Sequence, residues 1–149
     1  MENKIKRLVA QTVVKSTAGG GAGSTLVLEF EDTSYIFIWC SWRIEQGKKV
    51  IVTSSDTVLP TESNDSPNGL IGEKSPVLKG RKVKNVYLSP QYDLEIVFDN
   101  EYKLRIFCDI GPSRDDYDIN WELNIPTDNI SIEISNHFKE RMIEENFND

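Results

Sequence analysis

The chain is poor in the residues that do chemistry. Its 149 residues include one histidine and two cysteines. A histidine-assisted nucleophile needs a base that a third group orients, and His137 stands alone near the C-terminal end. A zinc site needs a converging set of four ligands. Cys40, Cys108 and one remote histidine do not supply it. Basic residues are also short, 17 Lys and Arg against 24 Asp and Glu, for a net charge of −7. Phosphate binding rests on clustered cations, so the balance argues against nucleic acid and against anionic membranes. No apolar run reaches the ~20 residues of a membrane helix. The opening MENKIKRLVAQ has no long apolar segment with a small-residue cleavage site, so no signal peptide is expected. These absences predict a cytoplasmic protein with reduced thiols. A disulfide between the two cysteines is the minor alternative.

What the chain does have is a repeat. Residues 25–40, TLVLEFEDTSYIFIWC, recur 68 positions later as residues 93–108, DLEIVFDNEYKLRIFC. With no gap, Leu26 falls on Leu94, Phe30 on Phe98, Ile38 on Ile106 and Cys40 on Cys108. In each copy an apolar residue alternates with a polar or outward one, the period of a half-buried strand. A polar turn follows, Glu31-Asp32-Thr33-Ser34 or Asp99-Asn100-Glu101, and then a second alternating strand. Each copy therefore reads as a β-hairpin with one apolar face. A lone hairpin is marginal in water, so two copies are expected to cover each other. Leu8, Ala10 and Val13 extend the match to Leu78, Gly80 and Val83 at an offset of 70.

The expectation is a single domain over residues 1–149 of the all-β class, mainly antiparallel. Two pseudo-repeats, 5–54 and 77–134, form a sandwich or a partly open barrel. A Ser-, Asn- and Pro-rich loop over 55–76 joins them. The tail 136–147, NHFKERMIEENF, is rich in helix formers, and Ser135 suits an N-cap. A short C-terminal helix is expected there.

Three stretches invite a functional reading. Ser16 to Ser24 is glycine-rich but lacks a phosphate-loop lysine, and a strand rather than a helix follows it. It reads as a strand connection or as a mobile loop over a ligand. Asp109, Asp115, Asp116 and Asp118 form the densest acidic cluster without the spacing of a calcium loop. Trp39 alternates out of phase with the core set, and Trp42 lies just beyond the first copy. Trp121 fits either the core or a surface. Tryptophan and a complementary charge patch are common anchors of protein interfaces.

The segment LRIFCDIGPSRDDYDINWELNIP, with its Asn120-Trp121-Glu122-Leu123 motif, resembles small bacterial proteins that look like immunity proteins of polymorphic toxin and contact-dependent inhibition systems. The likeness is clearest over residues 79–128. It implies an intracellular protein that binds and neutralises a cognate toxin. The expected function is thus non-catalytic binding of a basic protein partner, with no cofactor and no metal. The expected partner-binding residues are Trp39, Trp42, Asp115, Asp116, Asp118 and Trp121. The rivals are a small-ligand β module, with the glycine loop over Tyr35 and Trp39, and a structural homodimer using the outward aromatics.

Overall fold

The computed structural model describes residues 1–56, 58–59, 68–113 and 116–148. The first unit opens with helix α1 (Glu2–Ile5), which tightens into a 3-10 turn over Lys6–Leu8. Strands β1 (Val13–Thr17), β2 (Leu26–Phe30), β3 (Tyr35–Ile38), β4 (Ser41–Gln46) and β5 (Lys49–Thr53) follow. The second unit opens the same way, with α2 (Gly69–Lys74) running into a 3-10 turn over Ser75–Leu78. Its strands are β6 (Val83–Leu88), β7 (Leu94–Phe98), β8 (Tyr102–Phe107), β9 (Ile119–Ile125), β10 (Ile130–Ser135) and β11 (Glu140–Glu144).

The strands form two mainly antiparallel sheets that do not close into a barrel, and the arrangement is sandwich-like. One sheet has the order β1-β2-β3-β9-β10-β11 and the other β5-β4-β8-β7-β6. The two units therefore trade strands. The first unit builds β1–β3 in one sheet and sends β4 and β5 to the other. The second unit builds β6–β8 there and sends β9–β11 back. The repeated hairpins β2-β3 and β7-β8 sit in opposite sheets, and their inward residues belong to one core. Leu26, Leu28, Ile36 and Ile38 from one copy and Ile96, Leu104 and Ile106 from the other are fully buried. The expected mutual covering of apolar faces holds, and the strand exchange makes each unit incomplete without its twin.

A pseudo-two-fold axis passes between Thr12 and Lys82, which form an isolated antiparallel bridge. They are equivalent residues at the offset of 70. Their neighbours bond reciprocally: Ala10 N–H to the Val83 carbonyl and Gly80 N–H to the Val13 carbonyl, at 2.9 and 2.8 Å. Ala10 and Gly80 both take positive φ, 73° and 85°. The same register slip follows in both units, between Val13 and Lys15 and between Val83 and Asn85.

Two expectations are corrected. The tail over 136–147 is not helical. Phe138 adopts φ 57° in a tight turn closed by Ser135 N–H to the Lys139 carbonyl, and Glu140–Glu144 then pairs with β10. The open edge of β10 offers a row of unpaired backbone groups, and filling it outweighs the helix propensity of the segment, a few tenths of a kcal/mol per residue. The loop expected over 55–76 ends in α2, whose Ile71 is buried in the core, so the second unit begins before residue 77. Its residues 57 and 60–67 lie outside the described residues.

Candidate functional site

The two units are equivalent where the core needs them to be and differ elsewhere. Along β4 and β9 the offset between units rises from 68 to 79, because Ser41 matches Asn120. Eleven residues have thus been added between Cys108 and Asn120, and they carry the acidic cluster. The second unit also ends in an extra strand, β11. Both additions attach to the six-stranded sheet.

The outer faces of the sheets have diverged accordingly. On the five-stranded sheet the outward side chains form a charge lattice. The Glu45 carboxylate accepts from Arg43 at 2.6 Å and from Arg105 at 2.8 Å, and Glu95 pairs with Lys103 at 3.0 Å and Arg105 at 3.3 Å. Burial works against the Glu45 carboxylate, but the two guanidinium groups outweigh it and hold its carboxyl below its ordinary value. On the six-stranded sheet the equivalents of Lys103, Arg105 and Phe107 are Tyr35, Phe37 and Trp39. Phe37 and Trp39 stack with ring centroids 4.8 Å apart, and Trp39 is 39% exposed. Where the first sheet has Arg43, the second has Glu122, directly opposite Phe37 in the register.

Glu122 sits in unfavourable company. It pairs across β9 and β10 with Glu133. Burial, together with the carboxylates of Glu133 and Glu145, raises its carboxyl above the ordinary value against a hydrogen bond from Asn124. Among the described residues no cation pairs with Glu122. Glu133 is better provided: the Tyr117 hydroxyl donates to it at 2.5 Å and Arg141 lies 3.4 Å away. The Arg141 guanidinium also covers the Tyr117 ring at 4.6 Å. Burial and the bond to Glu133 push the Tyr117 phenol up to about 12.

Two buried asparagines fix the acidic insertion against this face. Asn120 Nδ2 donates to the carbonyls of Ile110 and Ser135, and its Oδ1 accepts from Ile110 N–H. Asn136 Nδ2 donates to the carbonyls of Gly111 and Asp116, and its Oδ1 accepts from Asp118 N–H. The chain after β11 crosses back over the sheet until Phe147 meets Tyr35 edge-on, at 6.4 Å between centroids. That crossing explains why Asn124 and Ser131, on the outer face, are buried.

The sequence-predicted site residues separate into two groups. Trp39, Asp116 and Asp118 lie at one end of this face. The Trp39 amide donates to the Asn120 carbonyl at 2.9 Å, two residues from Asp118. Asp116 is exposed and Asp118 half-buried. Asp115 lies outside the described residues. Trp42 and Trp121 are not surface residues: they are 1% and 0% exposed, facing inward beside Ile106 and Ile38. Strand alternation puts both on the core side of β4 and β9, so neither offers a surface. The glycine loop is a short 3-10 turn, Gly20–Ala22, and Gly19 (φ +93°) rests against Gly72 and Asn68 of the α2 start.

Sequence reasoning missed Glu122, Glu133, Tyr117, Asn136 and Phe147. The out-of-phase position of Glu122 in β9 was a visible signal. The others depend on where β11 and the tail fold. Among the described residues no group of three or more His, Cys, Asp or Glu side chains is arranged to hold a metal, and no helix is long and apolar enough to cross a membrane. No family model matches the chain, and no curated protein or solved structure matches it either.

Proposed function

We propose that the protein is a non-catalytic binding protein of the toxin-immunity kind, and that it docks a basic protein partner on the outer face of its six-stranded sheet. The observation that carries the reading is the pairing of a stacked, half-exposed Phe37–Trp39 with Glu122, a carboxylate among carboxylates that has no cation of its own within the described residues. An aromatic anchor within a rim of complementary charge is how interface energy concentrates. A Lys or Arg from the partner would relieve the repulsion that the free protein carries at Glu122. Asp116 and Asp118 extend the negative field at the Trp39 end, which speeds encounter with a positive surface. Occlusion of a basic active site then requires no chemistry from this chain.

The test is co-expression with the product of a neighbouring toxin gene, followed by titration of the purified pair. Protection from toxicity and a tight complex are expected. Trp39→Ala should weaken binding by roughly thirty-fold or more, the scale of an interface hot spot. Arg43→Ala, on the opposite outer face, should leave affinity unchanged. Undiminished toxicity on co-expression, or equal loss from both substitutions, would sink the reading.

A further inference from the structure

The geometry points to a reversible dithiol–disulfide site formed by Cys40 and Cys108, with a glutathione-type disulfide as its oxidant. Both cysteines are free thiols. They are equivalent residues of the two units, and each stands where its unit passes from one sheet to the other. Strand β4 pairs with β8 in the register Trp42 to Ile106 and Ser41 to Phe107. That register ends at Ser41 and Phe107, and Cys40 and Cys108 are the next residues beyond it on each side, Cys40 in a bend. Cys40 belongs to the buried core and Cys108 packs against it, so both side chains lie on the inner side. The ladder pair one residue away holds the two backbones side by side, and the two thiol side chains are in hydrogen-bond contact, the close approach a disulfide needs.

Supporting contacts hold the two backbones at this point. Ser41 N–H and Oγ both bond the Asp109 carboxylate, the first at 3.0 Å, and Cys108 N–H bonds Asp93 Oδ1 at 2.7 Å. The two thiols are not alike in access. Cys40 is 3% exposed, whereas Cys108 is half-buried and its Sγ lies 3.2 Å from the Tyr92 carbonyl oxygen. Contact with the Cys108 side chain and burial both push the Cys40 thiol up. Cys108 is therefore the thiol that meets the oxidant, and Cys40 is the one that resolves.

In the first step the Cys108 thiolate attacks one sulfur of glutathione disulfide. A Cys108–glutathione bond forms, the glutathione S–S bond breaks, and glutathione leaves as its thiolate. In the second step Cys40 attacks the Cys108 sulfur and expels the second glutathione, its thiol proton passing to the departing glutathione sulfur. Two protein thiols are oxidised by two electrons, one glutathione disulfide is reduced to two glutathiones, and the two protons from the protein thiols end on them. The bridge would fasten the end of β3, beside Trp39, to the root of the acidic insertion at Asp109. It stands or fails independently of the partner proposed above.

The experiment incubates the full chain with glutathione disulfide, unfolds it, blocks remaining thiols with an alkylating reagent and weighs it intact. The expected result is a monomer lighter by two hydrogens that takes up no alkyl group. Cys40→Ala should accumulate one glutathione on Cys108, and Cys108→Ser should take up none. If Cys40→Ala does not fold, the wild-type mass alone decides. Two alkylated cysteines after oxidation, a stable glutathione adduct on the wild type, or a disulfide-linked dimer would each overturn the inference.

Discussion

The indole N–H groups of Trp42 and Trp121 each donate to a backbone carbonyl, Ser24 at 2.7 Å and Tyr92 at 2.9 Å. The tryptophans are equivalent at the offset of 79, and the acceptors at 68. Each bond ties a traded strand to the connection before the hairpin it packs on. Burial of the ring and satisfaction of its one donor are thus met twice in the same way. Trp42→Phe and Trp121→Phe should each cost about 1–2 kcal/mol, because the hydrogen bond is lost and the smaller ring leaves part of a fully buried site unfilled. Urea unfolding of both variants checks this, and a neutral result for one of them would break the equivalence.

Glu122 should be a liability in the free protein. Its carboxyl is raised above the ordinary value of 4.5. A raised group favours the folded state below its unfolded value and loses that contribution as pH rises through its folded value. At neutral pH the cost of burying the charge, with the repulsion from Glu133 and Glu145, is therefore in force. Glu122→Gln should raise stability there by about 0.5–1 kcal/mol, the scale of opposed like charges across a sheet. The gain should shrink as pH falls toward the ordinary carboxyl value. Thermal melts at the two pH values decide it. A stabilised variant that also binds the partner less well would show the residue retained for function at the expense of stability.

The acidic insertion is held by side-chain amides rather than by strand pairing. Asn136→Ala should free the carbonyls of Gly111 and Asp116 and the N–H of Asp118, at about 1–3 kcal/mol. Hydrogen exchange should quicken at Asp118 while β2 and β7 keep their protection. Unchanged exchange at Asp118 would mean that the insertion is fixed by other contacts.

Gly72 offers a case in which propensity and packing disagree. Alanine is the better helix former by about 1 kcal/mol. A Cβ at Gly72, however, would stand 2.1 Å from the Cβ of Asn68, which no side-chain rotation relieves. Gly72→Ala should destabilise the protein by about 1–3 kcal/mol, the range for forced overpacking. A stability gain on differential scanning calorimetry would show that α2 shifts to accept it.

Much of the fold was legible in the residues. Leu26, Leu28, Phe30, Ile36 and Ile38, matched by Leu94, Ile96, Phe98, Leu104 and Ile106, alternate so regularly that each hairpin has one possible inner face. The candidate site was legible only in part. Trp39 and the aspartates of the insertion carry their signal in residue type and phase. Trp42 and Trp121 carried the same residue-type signal and belong to the core, because composition alone does not tell which face of a strand meets the other sheet. Glu122 was in plain view within the Asn120-Trp121-Glu122-Leu123 motif, but its neighbours Glu133 and Glu145 come from a strand and a tail whose course no local pattern records.

Periodicity along the chain determined the all-β class, the two units and the inward residues, since a period of two is a property of neighbouring residues. Tertiary structure decided which unit completes which sheet, that residues 140–144 extend an edge rather than coil, and that the aromatic and acidic side chains share one face. Those outcomes depend on backbone groups left unpaired by distant strands. Such a demand arises only once the two units have come together.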